Sequence, residues 1–332
     1  LPQLTKQHRP SELPSLSIIV PARNEAHNLL RLLPSLESQN YPGEMEIIVV
    51  DDHSTDGTAG MVKCGMRDPR CAVKLICADE LPAGWLGKPH ASHIGAKEAR
   101  GKWLLFSDAD TEHEPFSAAS AVAFAEKHGL DGLSVFPQQQ TRGLLDGAAL
   151  TVAFVALFAG LRRSTTMLNG QYVLVRRDAY EASGGFAAVR SEMMDDLAYG
   201  RLLADQGYQA PIMRGESLVS VHMYDNWHQM WHGLTRLGSG SLRYNGSMAL
   251  IPAIFITAVL MPLWTLLFNR YQLREIPSLK FIWFMTIMGL VPWEKRFSRK
   301  DKNESGPVNA LLGAMLAPAA ALFIQGAALW GM

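Results

Sequence analysis

Two carboxylates, Asp108 and Asp110, stand one residue apart directly after the apolar run Trp103–Phe106. Such a run, bounded by polar residues, is typical of a strand that is buried on both faces of an α/β sheet. Open α/β sheets bind ligands at the carboxyl ends of their strands, and carboxylate oxygens suit Mg²⁺ or Mn²⁺. The pair therefore predicts a divalent-metal site, although an Asp-x-Asp pair taken alone is also common in surface turns.

Two earlier apolar runs, Leu16–Val20 and Met45–Val50, end in the same way at polar segments. Leucines at a helical period follow the first of them. Repeated strand-to-helix junctions predict a parallel sheet with right-handed crossovers. Neither junction has the glycine pattern of a dinucleotide fold or a P-loop, so any nucleotide would be bound without such a glycine-rich phosphate loop.

Three motifs, Val20–Glu25, Val50–Thr58 and Phe106–Thr111, resemble in order and spacing those of the family 2 glycosyltransferases. The resemblance implies an α/β GT-A fold with a mainly parallel mixed sheet, a nucleotide-sugar donor (a UDP-sugar) and Mg²⁺ or Mn²⁺. It implies metal contacts from Asp108 and Asp110. It also implies donor contacts from Pro21, Arg23, Asn24, Glu25, Asp51, Asp52 and Asp108. A cation held there would neutralise the charge that develops on the departing nucleoside diphosphate.

The segment Gly84–Ala91 holds Lys88 in a glycine-flanked turn, from which its ammonium could reach a diphosphate. A solvated loop lysine is the alternative. The Gly-Trp-x-Gly-Lys pattern resembles the membrane-anchored branch that includes ceramide glucosyltransferases and hopanoid-associated and carotenoid glycosyltransferases. That resemblance favours the contact of Lys88 with the diphosphate.

The segment Glu192–Leu197 stands where family members usually carry Glu-Asp, and by position Asp196 is the candidate general base. An Asp before an apolar periodic run also suits a helix N-cap, and both roles are compatible. The region around Gly170 shapes the acceptor side in that branch. We therefore assign Gly170 and Asp195 to the acceptor site.

His222 lies in the predicted strand Val219–Tyr224 and is a candidate third contact to the metal or the diphosphate, with a structural histidine as the alternative. The stretch Trp227–Leu234 occupies the place of Gln-x-x-Arg-Trp in processive members but lacks the Arg-Trp pair, which argues against polymer synthesis. We assign Trp231 to the acceptor side, where it could stack on the acceptor. A tryptophan at a membrane interface is the alternative.

The 31 basic and 31 acidic side chains cancel, so the overall charge does not suggest a nucleic-acid partner. Met248–Phe268 and Ala310–Met332 hold no ionisable side chain and are long enough to cross a bilayer of roughly 30 Å. We expect spans over 248–268 and 310–330, with 279–293 spanning or re-entrant. A pair of core helices is the alternative.

The basic loop Glu294–Lys302 favours the cytoplasmic side of a membrane. It predicts an integral protein of the inner or plasma membrane with a cytoplasmic catalytic domain and the lipid bilayer as its partner. The expected organisation is a tail over 1–14, a donor half over 15–115, an acceptor half over 116–247 and a membrane region over 248–332.

The expected function is inverting transfer of a single sugar from a nucleotide-sugar to a carotenoid, hopanoid or other membrane lipid at the cytosolic face. Two other classes stay open. A metal-dependent nucleotidyltransferase would share an Asp-rich α/β sheet and would release pyrophosphate from a nucleoside triphosphate. A non-catalytic membrane subunit would keep the GT-A fold for binding alone.

Overall fold

The computed structural model describes residues 2–4, 12–65, 72–143, 146–151, 153–154 and 168–244. The chain forms two compact units, one of residues 1–137 with 164–221 and the other of residues 138–163 with 222–332. The expected spans over 248–268, 279–293 and 310–330 lie outside the described residues and stay predictions. Within the described ranges, no helix combines the length and the apolar character needed to cross a membrane.

The first unit is built on a seven-stranded mixed sheet. Its strands are β1 Leu16–Ala22, β2 Met45–Asp51, β3 Ala72–Cys77, β4 Trp103–Ser107, β6 Gly132–Phe136, β8 Tyr172–Arg176 and β9 Ile212–Arg214. Two short strands, β5 Thr111–His113 and β10 Val219–Val221, pair antiparallel beside it. The helices of this unit are α1 Ala26–Glu37, α2 Thr58–Gly65, α3 Gly87–Glu98, α4 Ser117–His128, α5 Arg177–Ser183, α6 Gly185–Ala188 and α7 Asp195–Asp205.

The strand order in the large sheet is β3-β2-β1-β4-β8-β6-β9. The first four strands are parallel, β8 runs antiparallel to both of its neighbours, and β9 is parallel to β6. This confirms the mainly parallel mixed sheet. Because the chain moves outward from β1 to β3 and then returns to β4 on the other side of β1, the order reverses between β1 and β4. Ligands of open α/β sheets bind at such a switch point, outside the carboxyl ends of the strands.

Apolar side chains cover both faces of the central strands, which explains why β1, β2 and β4 are continuous apolar runs rather than alternating ones. Ile18 on β1 packs in one core cluster with Leu32 of α1, whereas the next residue, Ile19, packs in a second cluster with Phe106. All four side chains are buried. Truncating Ile18 or Ile19 to Ala should cost about 2–5 kcal/mol.

Part of the expected N-terminal tail is anchored to the first unit. The N–H of Leu4 donates to the carbonyl of Arg214 at 2.7 Å, and the N–H of Arg214 donates to the carbonyl of Pro2 at 2.8 Å. The Leu4 side chain is fully buried. These contacts extend the edge of the sheet at β9.

The described part of the second unit comprises β7 Gln138–Gln139, helical residues within 146–154, and α8 Trp227–Tyr244. Arg142 links Asp146 to the residues at the start of α8. Its guanidinium donates to Asp146 Oδ2 and to the carbonyl of Asp225, both at 2.7 Å, and lies 5.7 Å from the centre of the Trp227 ring.

Candidate functional site

The loops that follow β1 and β2 are joined by hydrogen bonds at the carboxyl end of the sheet. The N–H of Asn24 donates to Ser54 Oγ at 2.9 Å, and the N–H of Thr55 donates to Asn24 Oδ1 at 2.8 Å. Asn24 and His53 both have φ of 59°, a left-handed conformation that few residues other than glycine adopt. The two loops thus support each other in conformations that neither would favour alone.

The second loop also caps α1, whose Glu25 makes no side-chain hydrogen bond to its own helix backbone. The N–H of Glu25 donates to Thr58 Oγ1 at 2.9 Å, and the N–H of Ala26 donates to Asp56 Oδ2 at 3.1 Å. A hydrogen bond from Thr58 lowers the pKa of Asp56, which keeps the carboxylate ionised at the positive end of the helix. The start of α1 is therefore held in place by the β2 loop.

Asp51 ends β2, Asp52 follows it, and both are buried. Asp51 Oδ1 accepts the N–H of Ser54 at 3.2 Å, so its side chain shapes the loop. Asp52 lies 3.7 Å from the guanidinium of Arg23 and 3.0 Å from Nδ1 of His53.

Gly87 at the start of α3 faces Asp52, and a Cβ added there would lie 2.3 Å from Asp52 Oδ2. The absence of a side chain at Gly87 thus leaves room for the Asp52 carboxylate. Pro21 pairs with Val50 in the register of β1 and β2, one residue from each loop.

The carboxylates of Glu25, Asp108 and Asp110 influence one another electrostatically near the end of β4. Burial and, to a smaller extent, the charges of Asp108 and Glu25 together raise the pKa of Asp110 to about 7, against the opposing effect of Lys88. Burial likewise raises the pKa of Glu25. Asp110 Oδ1 is buried without a hydrogen-bond partner among the described residues. Carboxylate oxygens that repel one another and include an unpaired buried atom fit a divalent cation.

The described residues do not include a group of three or more His, Cys, Asp or Glu side chains already arranged around one point as metal ligands. Asp108 and Asp110 would therefore supply part of a coordination sphere. A nucleotide-sugar diphosphate and water could supply the remaining oxygens, as is usual for Mg²⁺ in phosphate sites.

Lys88 lies at the centre of the site. Its Nζ is 2.5 Å from Asp108 Oδ1, and its side chain is 41% exposed. Burial lowers the pKa of Lys88, but the charges of Asp108, Asp195 and Asp196 together raise it more, so the amine is held protonated. Lys88 lies in the first turn of α3 and forms an ion pair, whereas its contact with a diphosphate stays a prediction.

Asp195 and Asp196 begin α7 and lie near the amine of Lys88. Asp196 Oδ2 accepts the N–H of Gly170 and Oδ1 accepts the N–H of Leu197, each at 2.8 Å. Burial raises the pKa of Asp196, while Lys88 and these two N–H groups lower it. Burial raises the pKa of Asp195 to about 6, although Lys88 opposes the shift. A carboxylate with a raised pKa is a better proton acceptor near neutral pH.

Of the predicted site residues, the first unit brings together Asp108, Asp110, Lys88, Gly170, Asp195 and Asp196, with the two loops after β1 and β2 alongside. His222 and Trp231 belong to the second unit, and their assignments as metal ligand and acceptor contact stay predictions. Reasoning from the sequence missed Ser54, Thr55 and Thr58. These residues lie inside the motif Val50–Thr58, but no role was assigned to them from the sequence. Short hydroxyl side chains after a strand typically make hydrogen bonds in loops and helix caps.

Comparison with known proteins gave concordant matches. A family profile described as "Glycosyl transferase family 2" matches residues 17–194, more than half of the chain. A 4,4'-diaponeurosporenoate glycosyltransferase of Staphylococcus aureus strain MRSA252 is 30% identical over 227 residues, which cover 65% of this chain and 58% of that protein. The enzyme of the same name from strain USA300 is 26% identical over 283 residues, covering 80% of this chain and 73% of that protein.

Among solved structures, the fold is similar to that of a mannosyltransferase from Pyrobaculum calidifontis in complex with GDP-Man and Mn²⁺. The TM-score is 0.55 at 20% identity, and the match covers 99% of this chain and 89% of that one. At this identity the likeness supports the fold, which agrees with the expected GT-A arrangement.

Proposed function

Because this chain belongs to glycosyl transferase family 2, we propose that it transfers one sugar from a nucleotide-sugar to a lipophilic acceptor with inversion of the anomeric centre. The donor is a UDP-sugar, and the acceptor is a hydroxyl or carboxyl group of a carotenoid, hopanoid or other membrane lipid at the cytosolic face. The observation that carries the proposal is the ion pair of Lys88 with Asp108, together with the proximity of the same amine to Asp195 and Asp196.

In the proposed reaction, Asp196 accepts the proton of the acceptor hydroxyl as its oxygen bonds to the anomeric carbon. The bond between that carbon and the diphosphate oxygen breaks, and the nucleoside diphosphate leaves with the electron pair. Lys88 offers its positive charge to the departing diphosphate from a position 2.5 Å from Asp108. Attack and departure occur in one displacement, so no enzyme nucleophile is required.

A divalent cation, Mg²⁺ or Mn²⁺, would be held by Asp108 and Asp110 and would neutralise the diphosphate charge. The unpaired Oδ1 of Asp110 and its raised pKa of about 7 support this assignment, because both are relieved by a bound cation. The GDP-Man and Mn²⁺ in the mannosyltransferase of similar fold support the same kind of donor and metal.

Two exposed apolar side chains support the lipophilic acceptor. Leu86, 39% exposed, stands two residues before Lys88, and Met193, 45% exposed, stands two residues before Asp195. The N–H of Leu86 donates to the carbonyl of Arg190 at 2.8 Å, which joins the two segments. The carotenoid substrate in the name of the S. aureus relatives supports the same acceptor class. The uncharged stretches within 248–332 supply the expected membrane attachment.

The test is an assay of the purified full chain in lipid nanodiscs with Mn²⁺ or Mg²⁺. UDP-, GDP- and polyprenyl-phosphate-linked radiolabelled sugars are each supplied with a carotenoid carboxylic acid, a hopanoid or diacylglycerol. We expect labelled lipid and free nucleoside diphosphate with a nucleotide-sugar, and NMR of the product should show an inverted anomeric centre. Turnover only with the polyprenyl-linked sugar would overturn the proposal.

The two other classes give no labelled lipid in this assay. A nucleotidyltransferase would release pyrophosphate when it is supplied instead with a nucleoside triphosphate and a sugar phosphate. A non-catalytic subunit would bind the nucleotide-sugar without turnover, and in a separate experiment in cells its phenotype would survive Asp196→Asn.

A further inference from the structure

A set of buried polar side chains lies directly behind the turn that carries Asp108 and Asp110. Ser107 ends β4, Thr111 begins β5 and His113 ends β5, and all three are at most 3% exposed. Ser107 Oγ and Thr111 Oγ1 lie 2.9 and 3.1 Å from His113 Nε2. The proposed reaction gives these three side chains no role.

The side chain of Gln39 fixes the direction of the hydrogen bonds in this cluster. Its Nε2 donates to the carbonyls of Ser35 and Glu114 at 3.0 and 2.9 Å. Its Oε1 accepts the N–H of Ala118 and the hydroxyl of Ser117, both at 3.1 Å. Since the single Ser117 proton goes to Gln39, Ser117 Oγ can only accept from His113 Nδ1, which lies 3.3 Å away.

These hydrogen bonds place the imidazole proton of His113 on Nδ1 and leave Nε2 as an acceptor. Burial lowers the pKa of His113 to about 3, so the ring stays neutral. Besides the 2.9 Å contact between the two hydroxyl oxygens, the protons of Ser107 and Thr111 have two acceptors, His113 Nε2 and the carbonyl of Asp108. The shorter pairing has Ser107 donating to Nε2 at 2.9 Å and Thr111 donating to the Asp108 carbonyl at 2.8 Å.

We infer that His113 is a positioning residue for the carboxylate turn. By accepting the Ser107 proton it leaves the Thr111 hydroxyl to hold the carbonyl of Asp108, and so fixes the direction of the side chains of Asp108 and Asp110. The effect of His113 on cation binding rests on the proposed function. Its effect on the conformation of the turn rests on the hydrogen bonds alone. Removing a hydrogen-bond partner that orients a metal ligand typically lowers metal affinity about ten- to hundredfold.

The tautomer can be measured directly. Histidine labelled with ¹⁵N in the full chain is examined by NMR, and the His113 signals are assigned by their loss in His113→Asn. We expect a protonated Nδ1 and an unprotonated Nε2, unchanged from neutral pH down to the lowest pH at which the protein stays folded. A proton on Nε2 would overturn the inference.

Two substitutions of His113 separate positioning from simple loss of stability. The Asn side chain can replace Nδ1 toward Ser117 but cannot reach Ser107, whereas the Gln side chain reaches the place of Nε2. We expect faster amide hydrogen exchange over 107–111 in His113→Asn, and exchange close to wild type in His113→Gln. Equal exchange in the two variants would contradict the inference.

Ser107→Ala and Ser183→Ala form a matched pair. Ser183 is also buried, and its hydroxyl lies 3.0 Å from the carbonyl of Tyr180 and 3.2 Å from Tyr199 Oη. We expect Ser107→Ala to speed hydrogen exchange over 107–111 and to weaken Mn²⁺ binding, measured by EPR, about ten- to hundredfold. Ser183→Ala should lower the melting temperature without either effect.

The two readouts distinguish the inference from the function on which it rests. Faster exchange in Ser107→Ala, combined with a wild-type chain that does not bind Mn²⁺, would support the positioning of the turn and refute the proposed metal. Unchanged exchange in a folded Ser107→Ala would overturn the inference whatever the metal does.

Discussion

The backbone N–H of Gly170 donates a hydrogen bond of 2.8 Å to Oδ2 of Asp196, although the two residues come from different elements, the turn before β8 and the start of α7. The same turn reaches Lys88, since a Cβ added at Gly170 would lie 3.2 Å from both Asp196 Oδ2 and Lys88 Nζ. Gly170 therefore fits the space in which the proposed base and the central lysine meet.

Asp196→Asn should lower kcat by about 10²–10⁴-fold with little change in the KM for the nucleotide-sugar, because a general base contributes to proton transfer and not to donor binding. Steady-state kinetics with a lipid acceptor measures both constants. The control is Asp205→Asn, an exposed residue at the other end of α7, which should behave as wild type. Wild-type kcat in Asp196→Asn would exclude this residue as the base.

Gly170→Ala should reduce kcat by roughly tenfold, less than the hundredfold that a displacement of about 1 Å can cause. The added methyl group lies 3.2 Å from two polar atoms that must move by a few tenths of an ångström. Gly60→Ala is the control, because a Cβ at Gly60 would meet nothing within 4 Å. A fully active Gly170→Ala enzyme would mean that the positions of Asp196 and Lys88 do not limit the rate.

Lys88→Met should move the acidic limb of the pH profile of kcat/KM to higher pH. Lys88 lowers the pKa values of Asp195 and Asp196, so its removal raises them, and a higher pH is then needed to ionise the base. The rate at the optimum should also fall, because the departing diphosphate loses a positive charge. The exposed Lys97 on the same helix provides the control, as Lys97→Met should leave the profile unchanged.

Much of this site was predictable from the sequence because strand ends carry its polar residues. The runs before Asp51 and Asp108 have the composition of strands buried on both faces, and parallel strands bring their carboxyl ends to one edge. Lys88 and Asp196 were harder to place, since they come from the starts of α3 and α7, and only tertiary packing joins them. The His113 network was not foreseen, because a histidine three residues after a carboxylate has no signature in sequence.

Without a metal, the stability of the protein should fall as pH rises from 5 to 8. Burial raises the pKa of Asp110 from 3.8 to about 7, so the folded state binds its proton more tightly than the unfolded state does. The resulting stability is fully present below the unfolded value and is lost as pH rises through the folded value. Melting temperatures across this range, with EDTA present, measure the effect.

Asp110→Asn should show a smaller fall over the same range, because the group that ionises is gone. Mn²⁺ should raise the melting temperature of the wild type at pH 8 and should have little effect on Asp110→Asn. A ligand stabilises the folded state only as far as it binds to it, and the variant should bind Mn²⁺ more weakly. The control Asp205→Asn should follow the wild type in both experiments. Equal stabilisation of Asp110→Asn by Mn²⁺ would remove Asp110 from the proposed metal ligands.

Leu86→Ser and Met193→Ser should raise the KM for a lipid acceptor and leave slow hydrolysis of the nucleotide-sugar unchanged. Both side chains are exposed and stand two residues before charged groups of the site, so an apolar acceptor chain that lies along them would lose buried area. Leu30→Ser is the matched control, because Leu30 is 55% exposed on α1 and has no assigned part in the site. If a short water-soluble acceptor analogue shows the same rise in KM as the full lipid, these side chains act on the site itself and not on the apolar chain.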